Sequence, residues 1–142
     1  MSSFHALRLP HSVCEQAVLV VDDSLFQREL TSALLKQMGC ERVSEAEDGE
    51  QALQRLRGCA DDLPLLLVDL EMPRMNGLQL LQSLADEEIR PRVVIISGSD
   101  SKRISLVESM VRMRRMPILG TLPKPINASL LHELLLRSRL PY

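Results

Sequence analysis

Polar side chains that can bind a metal ion or react with phosphorus follow four apolar runs of this sequence. Asp22 and Asp23 close the first run, and Asp69 closes the second. Ser97 closes the third run, and Lys124 follows the fourth. These three carboxylates, one hydroxyl and one ammonium are enough to hold a divalent cation and a phosphoryl group.

Each member of the set has its own chemistry. Three carboxylates placed together repel one another unless a cation lies between them, and a hard, oxygen-seeking ion such as Mg²⁺ suits that position. Asp69 can act as a nucleophile that attacks a phosphoryl group and forms an acyl phosphate. Because that attack brings one anion to another, a metal ion and the Lys124 ammonium must neutralise charge. The Ser97 hydroxyl can donate to a phosphoryl oxygen.

Taken singly, these residues have simpler structural interpretations. Asp22 and Asp23 can belong to a strand-to-helix turn in which Ser24 is the helix cap. Lys124 can be a solvated surface lysine, and Ser97 can be an ordinary turn residue. A cap does not need two acids, and Lys124 lies in a stiff Pro-Lys-Pro turn. The occurrence of all of them at the ends of apolar runs favours a functional set.

The elements that must position these side chains follow a βαβ rhythm, in which short apolar runs alternate with segments of helical period. Strands are predicted at about 17–22, 42–46, 65–69, 92–96 and 117–122. Helices are predicted at about 24–38, 49–57, 77–84 and 100–115, and from residue 127 onward. This pattern predicts an α/β fold with a doubly wound, five-stranded parallel sheet in the order 2-1-3-4-5 and five helices on its two faces, the flavodoxin-like form. In such a sheet, ligands bind at the carboxyl ends of the strands.

The first predicted helix has an apolar pattern that indicates which face it buries. That face is expected to contain Phe26, Leu30, Ala33, Leu34 and Met38. Residues 1–16 contain charges and a proline and lack a signal-peptide core. We therefore expect 1–16 to be a flexible N-terminal extension and 17–139 to be the domain.

Composition excludes several classes of function. A chain of 142 residues fits one domain, and its net charge of −2 recruits neither nucleic acid nor an anionic membrane. Three aromatic residues leave little for base stacking, and no apolar stretch reaches the roughly 20 residues of a membrane helix. The three cysteines are far apart and form no CxxC pair, so reduced thiols and a cytoplasmic location are expected.

Four short segments carry a more specific pattern. They are Val-Asp-Asp-Ser at 21–24, Glu-Ala-Glu-Asp-Gly at 45–49, Asp-Leu-Glu-Met-Pro-Arg-Met-Asn-Gly at 69–77 and Lys-Pro at 124–125. Together they resemble the receiver domain of bacterial two-component response regulators, of the single-domain chemotaxis type. The resemblance covers about residues 17–139 of this chain.

The resemblance implies a phosphoacceptor switch and assigns a role to each site residue. Asp69 would accept a phosphoryl group from a histidine kinase or a histidine phosphotransfer protein. Asp23, Asp69 and the Glu71 backbone carbonyl would hold Mg²⁺, and Asp22 would act mainly through water. Ser97 and Lys124 would bind the phosphoryl oxygens. The Lys124–Pro125 bond is expected to be cis, as in the family.

The sequence departs from the family at two places. The family commonly has Tyr or Phe three residues before the lysine, where this chain has Thr121, so a switch through this position must use other contacts. The segment between Ser97 and Lys124 is also longer than usual, and the extra length falls in or after the fourth helix. The methionines and arginines at 110–116 fit a partner surface or, equally, methionines in the core with solvated arginines. An extended fourth helix ending in Gly120–Pro125 is similar to receivers joined to cyclic-dinucleotide phosphodiesterase domains.

The leading hypothesis is a signalling switch that changes the face formed by helix four, strand five and helix five. This face would regulate a partner or a fused effector domain. Homodimerisation through this face is a further alternative that the sequence leaves undecided. One alternative is a haloacid-dehalogenase-like phosphatase with Glu71 as general acid, although those enzymes place the nucleophile after their first strand. Another is a receiver-like binding module that works without phosphorylation. In the switch hypothesis, the chain is a regulatory domain and not an enzyme.

Overall fold

The computed structural model describes residues 7–59 and 61–139, in which strands and helices alternate along the chain. The strands are β1 (Val18–Val21), β2 (Val43–Ala46), β3 (Leu65–Asp69), β4 (Val93–Ser97) and β5 (Ile118–Pro123). The helices are α1 (His11–Cys14), α2 (Leu25–Gln37), α3 (Gly49–Arg57), α4 (Gly77–Asp86), α5 (Ser101–Met113) and α6 (Ala128–Arg137).

The five strands form one parallel sheet in the order β2-β1-β3-β4-β5, as the sequence predicts. Every residue of β1, β3 and β4 is buried, because helices cover both faces of the sheet. Val21 of β1 pairs with Val68 of β3, and Asp69 pairs with Ile96 of β4. This register brings the carboxyl ends of the three central strands to the same edge.

The alternating side chains of the strands divide the core into two clusters, one on each face of the sheet. One cluster contains Leu66 and Val68 together with residues of α3, α4 and α5. The other contains Leu65 and Leu67 together with residues of α1, α2 and α6. Both faces of the central strands are therefore covered by apolar side chains, and the polar side chains of these strands lie at their ends.

Polar caps fix the start of five helices at the carboxyl edge of the sheet. In each case the cap side chain accepts a hydrogen bond from the backbone N–H three residues later, which satisfies a donor of the first turn. The caps are Ser24, Asp48, Asn76, Asp100 and Asn127. Because each helix begins within a few residues of a strand end, the loops that carry the polar set are short.

The buried face of α2 differs from the sequence prediction. Leu35 and Met38 are buried, but Phe26 is 70% exposed and Leu30 is 38% exposed. The helix instead turns Arg28 and Thr31 inward. The prediction holds at Met38 and in part at Leu34, but it is wrong at Phe26 and Leu30, because Arg28 takes the inward position and finds polar partners there. A buried polar group with partners costs little.

The N-terminal segment also differs from the predicted flexible extension. Residues 11–14 form α1, a sixth helix, and Leu9, Val13 and Cys14 are buried in the second core cluster. The Leu9 N–H donates to the Met38 carbonyl at 2.9 Å, so the segment is tied to the end of α2. Residues 1–6 lie outside the described residues, and the boundary of the domain at residue 17 stays a prediction.

The methionines of α5 and the following turn divide between the two interpretations that the sequence left open. Met116 is 2% exposed and belongs to the core. Met113 is 83% exposed, and Met110 is 38% exposed. Leu106 is also exposed, so α5 carries an apolar stripe on its outer surface. Within the described residues, no helix has the length and apolar character needed to cross a bilayer.

Candidate metal and phosphoryl site

Three carboxylates meet at the carboxyl edge of the sheet. Asp22 and Asp23 follow β1, and Asp69 is the last residue of the neighbouring β3. One oxygen from each carboxylate lies within 4.8 Å of the other two. Asp22 and Asp69 are buried, whereas Asp23 is exposed, so the cluster opens to solvent on one side. The convergence that the sequence predicted from the strand order is present.

The donor set of this cluster fits a hard divalent cation. All three side chains offer carboxylate oxygens, and no nitrogen or sulfur ligand belongs to the cluster. Mg²⁺ prefers such oxygens and keeps several waters, for which the exposed side at Asp23 leaves room. The cluster is therefore chemically suited to Mg²⁺.

Asp69 lies almost completely inside the protein, with 1% of its surface exposed. Its pKa is raised from 3.8 to about 6, chiefly because burial takes the charged carboxylate out of water, and the negative charge of Asp22 acts in the same direction. Hydrogen bonds from Lys124 and from the Glu71 backbone N–H oppose this shift. The carboxyl group is thus held in position by two donors while its charge remains poorly compensated.

Lys124 supplies the cation next to Asp69. Its Nζ donates to Asp69 Oδ2 at 3.0 Å, and the ammonium is partly exposed. Burial lowers the pKa of Lys124, but the hydrogen bond and charge of Asp69, with the charges of Asp22 and Glu71, outweigh burial and raise it. The Lys124–Pro125 peptide bond is cis, as expected. The backbone N–H of Lys124 donates to the Ser97 backbone carbonyl at 3.1 Å. The ends of β4 and β5 are thereby joined.

A buried polar network lies behind the acidic cluster. Arg28 of α2 donates from Nη1 to the Asp22 carbonyl at 2.8 Å and from Nε to Glu45 Oε1 of β2 at 3.2 Å. Ser32 Oγ donates to the other oxygen of Glu45 at 2.8 Å. The Arg28 side chain is 11% exposed, so its charge is largely removed from water. This network ties the loop that carries Asp22 and Asp23 to both α2 and β2.

Ser97 is completely buried, and its hydroxyl is already occupied. Ser97 Oγ contacts both oxygens of the Glu71 carboxylate, at 3.1 and 3.0 Å. The Gly98 N–H donates to Glu71 Oε1 at 3.0 Å, and Ser99 Oγ donates to Oε2 at 3.2 Å. The Glu71 carboxylate therefore holds three consecutive residues of the β4–α5 loop.

Thr121 lies on β5 away from the carboxylates and faces α5. Its Oγ1 donates to Glu108 Oε2 at 2.6 Å. Glu108 also pairs with Arg112 at 3.6 Å, and Arg112 Nη2 donates to the Ile118 carbonyl at 3.1 Å. In place of an aromatic side chain, this position connects β5 to α5 through hydrogen bonds and an ion pair.

Gly77 is required by the close approach of α4 to the end of β3. A Cβ atom at this position would lie 2.6 Å from the Asp69 carbonyl oxygen and 2.9 Å from the Leu70 Cα. Both are backbone atoms, which have little freedom to move. The glycine lets the start of α4 pack against the residue that carries the central carboxylate.

The structure brings most of the predicted site residues together. Asp22, Asp23, Asp69 and Lys124 form one cluster, and Ser97 lies at the end of the adjacent strand with its hydroxyl on Glu71. Thr121 is outside this cluster. Sequence reasoning missed the network behind the acids and the contact of the Glu71 side chain with the β4–α5 loop. The signals for the network were a basic residue within the polar face of a helix, which is usually solvated, and Glu45 within the specific segment at 45–49.

Comparisons with known proteins agree with one another. The family model for the response regulator receiver domain matches residues 18–136. Chemotaxis protein CheY-3 of Vibrio cholerae is 32% identical over 117 residues, which cover 82% of this chain and 85% of the relative. The crystal structure of CheY4 of Vibrio cholerae matches with a TM-score of 0.73 and 26% identity, over 87% of this chain and 98% of that one. The CheX–CheY–BeF3–Mg²⁺ complex of Borrelia burgdorferi matches with a TM-score of 0.75 and 20% identity, over 89% and 90%.

Proposed function

This chain belongs to the response regulator receiver domain family, of the chemotaxis type, and from that premise we propose that Asp69 is its phosphoacceptor. Receiver domains are regulatory switches of phosphorelays, and the match covers most of this chain. The observation that carries the proposal is the position of Asp69. Its carboxylate lies at the end of a central strand between the Lys124 ammonium, at 3.0 Å, and two further acids.

The reaction we propose is transfer of a phosphoryl group to a carboxylate oxygen of Asp69. The donor is a phosphohistidine of a histidine kinase or a histidine phosphotransfer protein. A new bond forms between the Asp69 oxygen and phosphorus while the bond between phosphorus and the imidazole nitrogen breaks. The electron pair of the broken bond stays on the imidazole, which then takes a proton. The product is an aspartyl phosphate.

Mg²⁺ is the cofactor that the acidic cluster suits. Asp23, Asp69 and the Glu71 backbone carbonyl would hold the ion, with Asp22 acting mainly through water. The ion would supply positive charge that offsets the repulsion between the carboxylate and the incoming phosphoryl group. A solved relative in Borrelia burgdorferi is a complex with BeF3 and Mg²⁺, which supports this choice.

Three further residues complete the proposed switch. Lys124 neutralises charge on the phosphoryl group, and Ser97 donates to one of its oxygens after leaving Glu71. Movement of Ser97 shifts the β4–α5 loop and the face made of α5, β5 and α6. Thr121 transmits this change to α5 through Glu108.

The face that changes is proposed to bind a downstream protein or a fused effector domain. Leu106 and Met113 of α5 are 62% and 83% exposed, and basic residues flank them. This surface is suited to a protein partner, and nothing in the composition favours direct binding to nucleic acid or membrane. A cytoplasmic location and reduced cysteines fit this role.

Intact mass spectrometry tests the phosphoacceptor. The full chain is incubated with Mg²⁺ and acetyl phosphate or phosphoramidate, and we expect the mass of one phosphoryl group to be added. Asp69→Ala should stay unmodified, whereas Asp61→Ala, a change at an exposed aspartate, should be modified like the wild type. Equal modification of the Asp69→Ala variant would refute the assignment.

The same protein with Mg²⁺, given a phosphomonoester in place of the phosphodonor, tests the phosphatase alternative. A haloacid-dehalogenase-like enzyme would release phosphate in many-fold excess over protein, whereas a switch releases it only as fast as its own aspartyl phosphate decays. Glu71 would be the general acid of such an enzyme, but its carboxylate accepts hydrogen bonds from three residues and is poorly placed to give up a proton. We therefore expect near-stoichiometric phosphate release from phosphomonoesters.

A further inference from the structure

The Glu71 side chain makes an unusual set of contacts for an exposed carboxylate. Three donors point to it: the Ser97 hydroxyl, the Gly98 N–H and the Ser99 hydroxyl, all within 3.0 to 3.2 Å. Ser97 is completely buried, and its hydroxyl also accepts a hydrogen bond from the Ser99 backbone N–H at 3.0 Å, so its single proton is the one it gives to Glu71.

The donors that Glu71 occupies are those that an anion on Asp69 would need. Under the proposed function, Ser97 and Lys124 bind phosphoryl oxygens, and the Gly98 N–H lies beside Ser97. A carboxylate and a phosphoryl group are both anions with several acceptor oxygens, so they compete for the same donors. Only one of them can accept from the Ser97 hydroxyl at a time, because a hydroxyl has a single proton.

We propose that the Glu71 carboxylate is an internal competitor for the phosphoryl-oxygen site and holds the β4–α5 loop in its unphosphorylated arrangement. The inference rests on the proposed function of Asp69 and names the residue that sets the threshold of the switch. Glu71 is a positioning residue, since it acts on the reaction through Ser97 and Gly98. Its side chain is exposed, so it can turn to solvent when a phosphoryl group arrives and exchange these donors for water.

Binding of beryllofluoride, an inorganic mimic of the phosphoryl group, tests the competition. The full chain is titrated with beryllofluoride at saturating Mg²⁺, and the Gly98 amide resonance reports binding. Glu71→Ala keeps the backbone carbonyl proposed for the metal but removes the competitor. We expect this variant to bind beryllofluoride about 3- to 10-fold tighter, since the loss of a hydrogen-bonded rival is worth that much. Unchanged affinity would overturn the proposal.

A matched variant separates competition from simple loss of charge. Ser99→Ala removes one donor to Glu71 and changes no charge, and Ser99 is not a proposed ligand of the phosphoryl group. If Glu71 is a competitor, Ser99→Ala should also tighten binding, by about 2- to 5-fold, because Glu71 is then held less firmly. The double variant should bind no tighter than Glu71→Ala alone. Additive effects, or an effect of Glu71→Ala that vanishes at high salt, would indicate general electrostatics and refute competition.

A second readout is independent of phosphoryl chemistry. In the metal-free protein, the Gly98 N–H donates to Glu71, and this hydrogen bond should slow its exchange with solvent, so both variants should exchange this proton several-fold faster than the wild type. If the Gly98 proton exchanges at the wild-type rate in both variants, the inference is refuted even if Asp69 is phosphorylated. The wild-type protein could fail to take up a phosphoryl group while the variants still exchange the Gly98 proton faster. In that case the proposed function is refuted, but the conclusion that Glu71 holds the loop is supported.

Discussion

The two halves of the site are held in different ways. The acidic half, Asp22, Asp23 and Asp69, is fixed from behind by buried Arg28 and by the close packing of the sheet. The switch half, Ser97 and the loop that follows it, is held by one carboxylate whose side chain is exposed to water. The first half is held from the interior of the protein and suits a divalent cation, whereas the second is held by the carboxylate that we propose a phosphoryl group displaces. The difference predicts that the acidic half is the scaffold of the site and that the switch half is the part that moves.

The largest expected effect comes from breaking the support of the acidic half. Arg28→Met removes both hydrogen bonds from the guanidinium and leaves the Glu45 carboxylate without its cation. The Arg28 side chain is 11% exposed and that of Glu45 is 34% exposed, so the loss of one partner of this partly buried ion pair should lower the free energy of unfolding by about 2–3 kcal/mol. Urea denaturation measures this loss, and calorimetry should show weaker Mg²⁺ binding because the Asp22–Asp23 loop is no longer fixed.

Lys36→Met is the matched control for this change. It also removes a positive charge from α2, but at an exposed position, so the free energy of unfolding should change by less than about 0.5 kcal/mol. If both variants lose the same stability, or if Mg²⁺ affinity is unaltered in Arg28→Met, the network does not support the acidic half.

A smaller effect is expected from the charge of Asp69 itself. Its pKa in the folded chain, about 6, lies above its ordinary value of 3.8. The folded state therefore binds the proton more tightly, and this stabilisation is complete below about pH 3.8 and lost as the pH rises through 6. Asp69→Asn stays neutral at every pH, so it should be more stable than the wild type by about 2 kcal/mol near pH 7.5, in chelator, and by little near pH 4.

The control for this prediction is Asp61→Asn, which changes an exposed aspartate and should have a flat difference across the same range. A gain for Asp69→Asn that does not depend on pH would contradict the prediction. Addition of Mg²⁺ should reduce the advantage of the variant, since the wild-type carboxylate then has a cation.

The smallest effect is expected at the contact between β5 and α5, the helix that begins after the switch half. Thr121→Val keeps the shape of the side chain but removes the donor to Glu108, so stability should fall by about 0.5–1.5 kcal/mol. A double-mutant cycle with Glu108→Ala measures the coupling between the two residues in urea denaturation. Additive losses would mean that the contact between β5 and α5 does not join them energetically.

Much of the fold follows from local patterns. Leu65 to Asp69 is a short apolar run that ends in a charge, which is typical of a central strand, and the structure begins and ends β3 at those residues. Helices are predicted to start at about residues 77 and 127, and Asn76 and Asn127 cap the helices at those places. Such signals lie within a few residues of the feature they specify, so no long-range information is needed.

The parts that the sequence did not predict depend on partners far apart in the chain. Phe26 was expected in the core, but Arg28 takes the inward position because Glu45 lies opposite. Leu9 is buried because it reaches Met38, which no pattern in the N-terminal segment indicates. In each case a contact with a residue distant in the chain decided which side chains are buried, and the local pattern of apolar residues did not.

The amino-acid sequence by itself determined the set of reactive groups, the elements that carry them and the order of the sheet, because apolar runs, caps and short loops are local properties. Tertiary structure alone decided how the two halves of the site are held. The Glu71 carboxylate meets the Ser97 hydroxyl only because β3 and β4 are neighbours with a fixed register, and hydrogen bonds require contact within about 3 Å. The number of residues between Glu71 and Ser97 does not predict that their side chains lie within hydrogen-bond distance.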